Sequence, residues 1–511
     1  MRHVRSRFAP LAVVVVLGLV GAACTTSPGV TATAVRPPNT TASASSTTFT
    51  ATSTATSTAT STAVPGGTAP AGAGASGIGD ALFASLGNAG VDVLSYDLHL
   101  TVDPAANHLT GVVKAEVAFT AALTSFTLDS NGPQVSNVTV DGVKATFVAE
   151  RPELRVTLPT AVRAGDDRLV EVTYTVTPTP GHLDFGVPVG WFSTANGTWA
   201  QNEPYGASTW MPCDDHPSDK AEYTFAITVP AGFSAVANGE LVDHRTESGH
   251  EVWTWSEPHP MATYLVQVLT GHYDLVQGVG PHSLPLLSAV LHDDRTLMQP
   301  YLDAIAPEIT WFETQFGPYP FSRYGIAVTN SPPGLAVEMQ ERSLFSRDDF
   351  VSGRLGEPEQ SLLSHELAHQ WFGDAVTPAR WSDIWLNESF ATYAQWMWLD
   401  HAGFTSMADA SRQALAARVP GSTARPTVGT MFGPNSYEGG AVVLHALRGT
   451  IGDEHFFALL RKWVADNAGT SRTTTDFVHL AEQVSGRSLT SFFDTWLYSE
   501  HPPSHFPDGG V

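Results

Sequence analysis

The stretch His365-Glu366-Leu367-Ala368-His369 constrains this chain more than any other segment. In an α-helix residues four apart share a face, so His365 and His369 can direct both imidazoles at one point. The surroundings favour a helix: Pro358 suits a first turn, and from Glu359 to Asp374 there is no proline and only Gly373. Glu366, between the two histidines, is close enough to hold a water there. Glu388 follows after room for the rest of this helix, a loop and the start of another. Two histidines, one carboxylate and an open fourth position make up a catalytic zinc site. The bland alternative is a pair of histidines satisfied in a helical core; a chance match has odds of roughly a few per cent in a chain this rich in histidine.

The chain has 511 residues, too many for one hydrophobic core, so two or more domains are expected. A formal net charge of −24 argues against nucleic acid as a partner and suits a self-repelling exported protein. Residues 1–23 read as a signal peptide: Arg2, Arg5 and Arg7 precede an apolar run, Leu11 to Val20, too short to span a bilayer. Cys24 then follows Gly21-Ala22-Ala23, resembling a bacterial lipobox with Gly21 where Leu is usual. Lipidation at Cys24 would anchor the chain on the outer face of the cytoplasmic membrane without crossing it; the alternative is a secreted product. Cys213 is the only other cysteine, which excludes a disulfide framework and reads as a small buried residue. Residues 24–86, rich in Thr, Ser, Ala, Pro and Gly, are expected to form a disordered tether.

Two folded regions follow. Leu94, Tyr96, Leu98, Leu100 and Val102 alternate with mostly polar residues, as do Tyr223, Phe225, Ile227 and Val229, which predicts an all-β domain over 87–275. Helical stretches at Leu297–Phe316, Glu359–Asp374, Glu388–Asp400 and Thr475–Tyr498 predict an α-rich domain over 276–511 that carries the metal. Trp371, Trp381, Trp385, Trp396 and Trp398 cluster in or beside these helices and are expected to pack its core.

Taken together, these features make the chain resemble the aminopeptidase N family of gluzincin zinc aminopeptidases. Further segments carry the likeness: Gly87 to Val93 with Tyr96, Gln201-Asn202-Glu203-Pro204, Met211-Pro212-Cys213-Asp214-Asp215, and Phe316-Gly317-Pro318-Tyr319-Pro320-Phe321. The resemblance implies an N-terminal β-saddle and a thermolysin-like catalytic domain. It also implies a short form without the long C-terminal helical domain, since little chain follows Glu388. Gly334-Leu335-Ala336-Val337-Glu338-Met339-Gln340 corresponds to the family's Gly-Ala-Met-Glu-Asn motif, with Leu335 and Met339 as departures. By that match Glu338, with Glu203, would anchor the substrate's α-ammonium, and altered main-chain contacts to the peptide are expected. Tyr437-Glu438-Gly439-Gly440-Ala441 resembles the family's Tyr-x-Lys-Gly-Ala segment, with Gly439 in place of Lys; Tyr437 would donate its hydroxyl to the oxyanion.

The expected activity is release of N-terminal residues from peptides with a free N-terminus, using one Zn2+ per chain, by a monomer. A thermolysin-like endopeptidase and an inactive peptidase-fold binding lipoprotein are the alternatives.

Overall fold

The computed structural model describes residues 72–182, 188–194 and 197–507. Its N-terminal half is built on an eight-stranded sheet whose centre is the strand Val91–Asp103. This strand runs antiparallel to His108–Phe119 and parallel to Lys220–Pro230. Tyr96, Leu98, Leu100 and Val102 face the core as their spacing predicts. Leu94 does not: the register slips between Val93 and Ser95, so Val93 takes the inner place and Leu94 is left 40% exposed. A smaller five-stranded sheet includes Gly197–Gln201, which leads directly into Asn202 and Glu203.

The tether expected through residue 86 ends earlier. Gly72–Ala73 pairs with the strand Leu123–Asp129, and Ala75–Ser76 pairs with Asn88–Ala89. Buried Asp80 accepts from Leu82 N (2.7 Å) and from Trp381 N (2.9 Å) in the helical half, and faces His216 Nε2 at 3.3 Å. Backbone pairing, the buried Asp80 carboxylate and the apolar side chains of Leu82, Phe83 and Leu86, which pack on the core of the β half, hold this segment. The signal peptide, Cys24 and most of the tether lie outside the described residues.

The second half begins at Tyr273–Val279, three residues before the expected boundary, because this strand pairs with Pro285–Leu291. Helix α1 (Arg295–Phe316) then crosses over to bring Ile326–Thr329 parallel to Pro285–Leu291, and Ser343–Ser346 completes the sheet. Seven helices follow: α2 (Glu357–Ala368), α3 (Trp385–His401), α4 (Met407–Ala417), α5 (Gly440–Ile451), α6 (Asp453–Asn467), α7 (Thr474–Ser485) and α8 (Thr490–Trp496). The single tail helix expected over Thr475–Tyr498 is two helices, broken where Gly486 adopts a left-handed conformation at φ +65°. All five clustered tryptophans are buried, as is Cys213. Among the described residues no helix is long and apolar enough to cross a membrane.

Candidate metal centre

Helix α2 starts as its sequence predicts. Pro358 sits in the first turn, and Glu359 turns back to accept from Gly356 N at 3.1 Å. It ends sooner than expected, at Ala368, with His369 as its C-terminal cap. The His369 ring accounts for this: its Nδ1 bonds Phe372 O at 3.1 Å, and Gly373 at φ +133° turns the chain away. His365 is bonded through Nδ1 to Gln395 Oε1 at 3.1 Å. With an acceptor opposite each Nδ1, both rings hold a proton there, which leaves Nε2 as the atom each can offer to a metal cation.

Those two Nε2 atoms meet Glu388, from the first turn of α3. Its Oε2 lies 3.4 Å from His365 Nε2 and 3.5 Å from His369 Nε2. Ligands about 2.0–2.1 Å from a tetrahedral zinc stand about 3.3–3.4 Å apart; both pairs with Glu388 match that spacing, and the three donor atoms all lie within 4.8 Å of one another. The electrostatics agree. Burial would lower His369, but Glu338, Glu388 and Glu366 raise it to about 10, so these carboxylates favour a positive charge at this point, either a proton on Nε2 or a metal cation in its place. Burial would raise Glu388, yet its two imidazole partners hold it down at about 2.

Glu366 points into the same space, close enough to Glu338 and His369 for the three to form a second donor group sharing His369. Burial pushes its carboxyl well up, with Glu338 and Glu388 adding to the effect and His369 opposing it. Tyr437 lies in a π-helical turn, Asn435–Gly439, that leads into α5. Its ring stacks on His365 at 6.1 Å between centroids, and its hydroxyl interacts electrostatically with Glu388. Burial and the surrounding carboxylates push the phenol well above its usual range, so it remains a proton donor. The turn is seated by Ser389, whose Oγ donates to Ser436 O at 2.7 Å.

Glu203 and Glu338 reach this space from different directions. Asn202 fixes the first: its Nδ2 donates to Val266 O (2.7 Å) and its Oδ1 accepts from Trp210 Nε1 (2.9 Å). Glu338 sits beside the base of a tight hairpin in which Val337 and Leu344 exchange backbone bonds of 2.9 and 2.7 Å. Oε1 of each glutamate is shielded from solvent and has no hydrogen-bond partner. Burial raises Glu203 strongly, and Glu338, Glu388, Glu366 and Asp374 push it further. Six of the residues singled out in the sequence thus share one pocket with Glu388. Met339, expected to alter contacts to a peptide, is fully buried in the hydrophobic core of the β half.

Sequence reasoning missed Gln395, Gln370 and Asp374. Gln395 had a signal: it stands two helical turns beyond Glu388, on the same face of α3. A further three-donor group, Glu257, His259 and Glu341, is an ion network. His259 Nδ1 faces both carboxylates at 3.0 and 3.3 Å, and Arg323 Nε lies 3.2 Å from Glu341, so two cationic side chains already balance two anionic ones.

Comparison with known proteins agrees with this geometry. A model described as the peptidase family M1 domain matches residues 301–496, and one for the peptidase M1 N-terminal domain matches 93–265. The chain is 32% identical to an M1 zinc metallopeptidase from Deinococcus radiodurans, covering 84% of this chain and 99% of that one with a TM-score of 0.77. An alanine mutant of the Deinococcus enzyme, solved with a Tyr-Ser-Ala substrate, aligns with the same TM-score of 0.77 at 30% identity, over 85% of this chain and 100% of that one. A glutamyl aminopeptidase of Bitis rhinoceros is 26% identical over 464 residues, 80% of this chain and 46% of its own length. The chain thus spans less than half the length of that curated relative.

Proposed function

Because the chain belongs to peptidase family M1, we propose that it is a zinc aminopeptidase that removes single residues from the free N-terminus of peptides. One observation carries this reading: Glu203 and Glu338 each offer a shielded, unpartnered carboxylate oxygen beside the metal triad. An ammonium group supplies three donors and the positive charge that such oxygens lack. The Tyr-Ser-Ala complex of the Deinococcus enzyme supports a short peptide as the occupant of such a cleft.

His365, His369 and Glu388 hold the ion, which when bound lowers the pKa of a water and polarises a carbonyl. Glu366 takes the proton from the attacking water and returns it to the departing amine. Tyr437 donates its hydroxyl to the carbonyl oxygen as charge builds there. Glu203 and Glu338 bind the α-ammonium and so place the first peptide bond, and no other, against Glu366 and Tyr437. The test is metal content together with hydrolysis of aminoacyl fluorogenic substrates. About one zinc per chain, loss of turnover on chelation and recovery with zinc support the reading; turnover unaffected by complete zinc removal contradicts it.

The same reading makes the protein an exported monomer, tethered through a lipid on Cys24. The Arg-rich start, the short apolar run and Cys24 at its end support export and anchoring. Cys24→Ala should move the protein from the membrane fraction to the medium, and equal membrane retention would remove the anchor. Sedimentation should give one chain per particle.

A further inference from the structure

The geometry points to Gln370 as the positioning residue that fixes the spacing between the amine anchor and the metal triad, an inference that rests on the aminopeptidase reading above. Gln370 is fully buried and directly follows the ligand His369. Its Nε2 donates to Glu338 O at 3.1 Å and to Asp374 Oδ2 at 2.7 Å. Its Oε1 accepts from Glu341 N at 2.9 Å and from Tyr319 Oη at 3.2 Å. A side-chain amide has two donor hydrogens and two acceptor lone pairs. All four are used within the protein, leaving nothing for a substrate.

What the amide joins gives it a role. On one side is the peptide carbonyl of Glu338, whose carboxylate is one of the two free anchors; on the other is the backbone that carries His369. The hairpin holding Glu338 is paired at its base, Val337 to Leu344, but its turn contains Glu341 in a left-handed conformation at φ +64°. The outer side of that turn is held by Glu341, whose carboxylate accepts from Ser322 N and Oγ, both at 3.1 Å, and pairs with Arg323. On the inner side, Gln370 bonds both Glu338 O and Glu341 N and so ties the turn to the segment that directly follows His369 at the end of the metal helix. A second tie runs nearby, from Ser343 Oγ to Glu366 O at 3.3 Å, but it reaches neither Glu338 nor Glu341. Displacing a bound substrate by about 1 Å can cost on the order of a hundredfold in rate. The amine anchor therefore works only if its distance from the ligands is held.

Two variants separate this role from a general contribution to folding. Gln370→Glu keeps the shape but turns an oxygen toward Glu338 O and Asp374 Oδ2; Gln370→Met keeps the volume and removes every bond. Two hydroxamates serve as probes of the zinc-loaded protein by calorimetry: an amino-acid hydroxamate, which carries an α-amine, and acetohydroxamate, which does not. Both variants should weaken the amino-acid hydroxamate, and raise KM for aminoacyl substrates, by about tenfold or more. Acetohydroxamate affinity and zinc content should stay within about twofold of wild type, since the ligands keep their own bonds to Gln395 and Phe372. Equal weakening of both probes, or loss of zinc, in Gln370→Met would make Gln370 part of the metal site's scaffold and overturn the proposal. Unchanged binding of both would overturn it as well. If the wild-type protein itself gains nothing from the α-amine, the aminopeptidase reading fails instead.

Discussion

Tyr437→Phe removes one oxygen from the pocket and leaves the ring. The ring's contacts are with His365, stacked at 6.1 Å, so packing should survive. His365, His369 and Glu388 form the metal triad without the Tyr437 hydroxyl, so zinc should remain at wild-type content. Burial keeps this phenol protonated through the working pH range, so what is lost is a donor aimed at developing negative charge. Removal of a comparable oxyanion donor costs about 2.7–4 kcal/mol, or roughly a hundredfold to a thousandfold in kcat. Because the interaction strengthens only as charge builds on the oxygen, KM should change little. Steady-state hydrolysis of an aminoacyl fluorogenic substrate, with zinc measured on the same sample, reads both quantities. Wild-type kcat, or a rise in KM with kcat preserved, would refute the assignment of Tyr437 as oxyanion donor.

Glu338→Gln should lower kcat/KM for free-amine substrates by about a hundredfold, from about 3 kcal/mol for one partner of a buried charge pair, while hydrolysis of an N-acetylated analogue, already slow, stays where it was. A Cβ added at Gly440 would lie 1.7 Å from Ser389 Oγ, so Gly440→Ala should lower Tm by an overpacking cost of about 1–3 kcal/mol, and the same change should cost less in a Ser389→Gly background, which lacks the clashing atoms and has already lost the bond to Ser436 O. An unchanged Tm for Gly440→Ala alone would contradict the close approach of α5 to α3. Hydrogen bonds to Glu257 and Glu341 raise His259 to about 9 from an ordinary 6.5, so its stabilising effect is full below pH 6.5 and is lost as pH rises through 9. With its side chain 32% exposed, the effect is about 1–2 kcal/mol. Thermal melts between pH 6 and 10 should show this loss in wild type and a flatter profile in His259→Gln; parallel profiles would discount the network.

The ligand triad was legible because helical periodicity alone puts His365 and His369 on one face, and Glu388 falls where a second helix can return. Glu203, Glu338 and Tyr437 were readable only through likeness to a family motif, since nothing local marks a glutamate as an anchor. Tertiary contact decided the rest. Gln370 looks like any helical glutamine until the hairpin at Glu338 folds against it, and Asp80 looks like part of a linker until Trp381 arrives from the other half. Met339 occupies a motif position, yet its apolar side chain is fully buried in the core of the β half. Leu94 fits an alternating strand, and the slip beside it is a property of strand pairing that the alternation does not encode.

A metal site flanked by anchors for a free ammonium should cut only next to a free N-terminus, and mass spectrometry of peptide digests reads this out. The zinc-loaded protein would be incubated with an unmodified octapeptide and, separately, with its N-acetylated twin. The first should give a ladder that shortens by one residue at a time from its N-terminus, and the second should stay intact. Internal fragments, or equal consumption of the acetylated twin, would contradict the aminopeptidase reading.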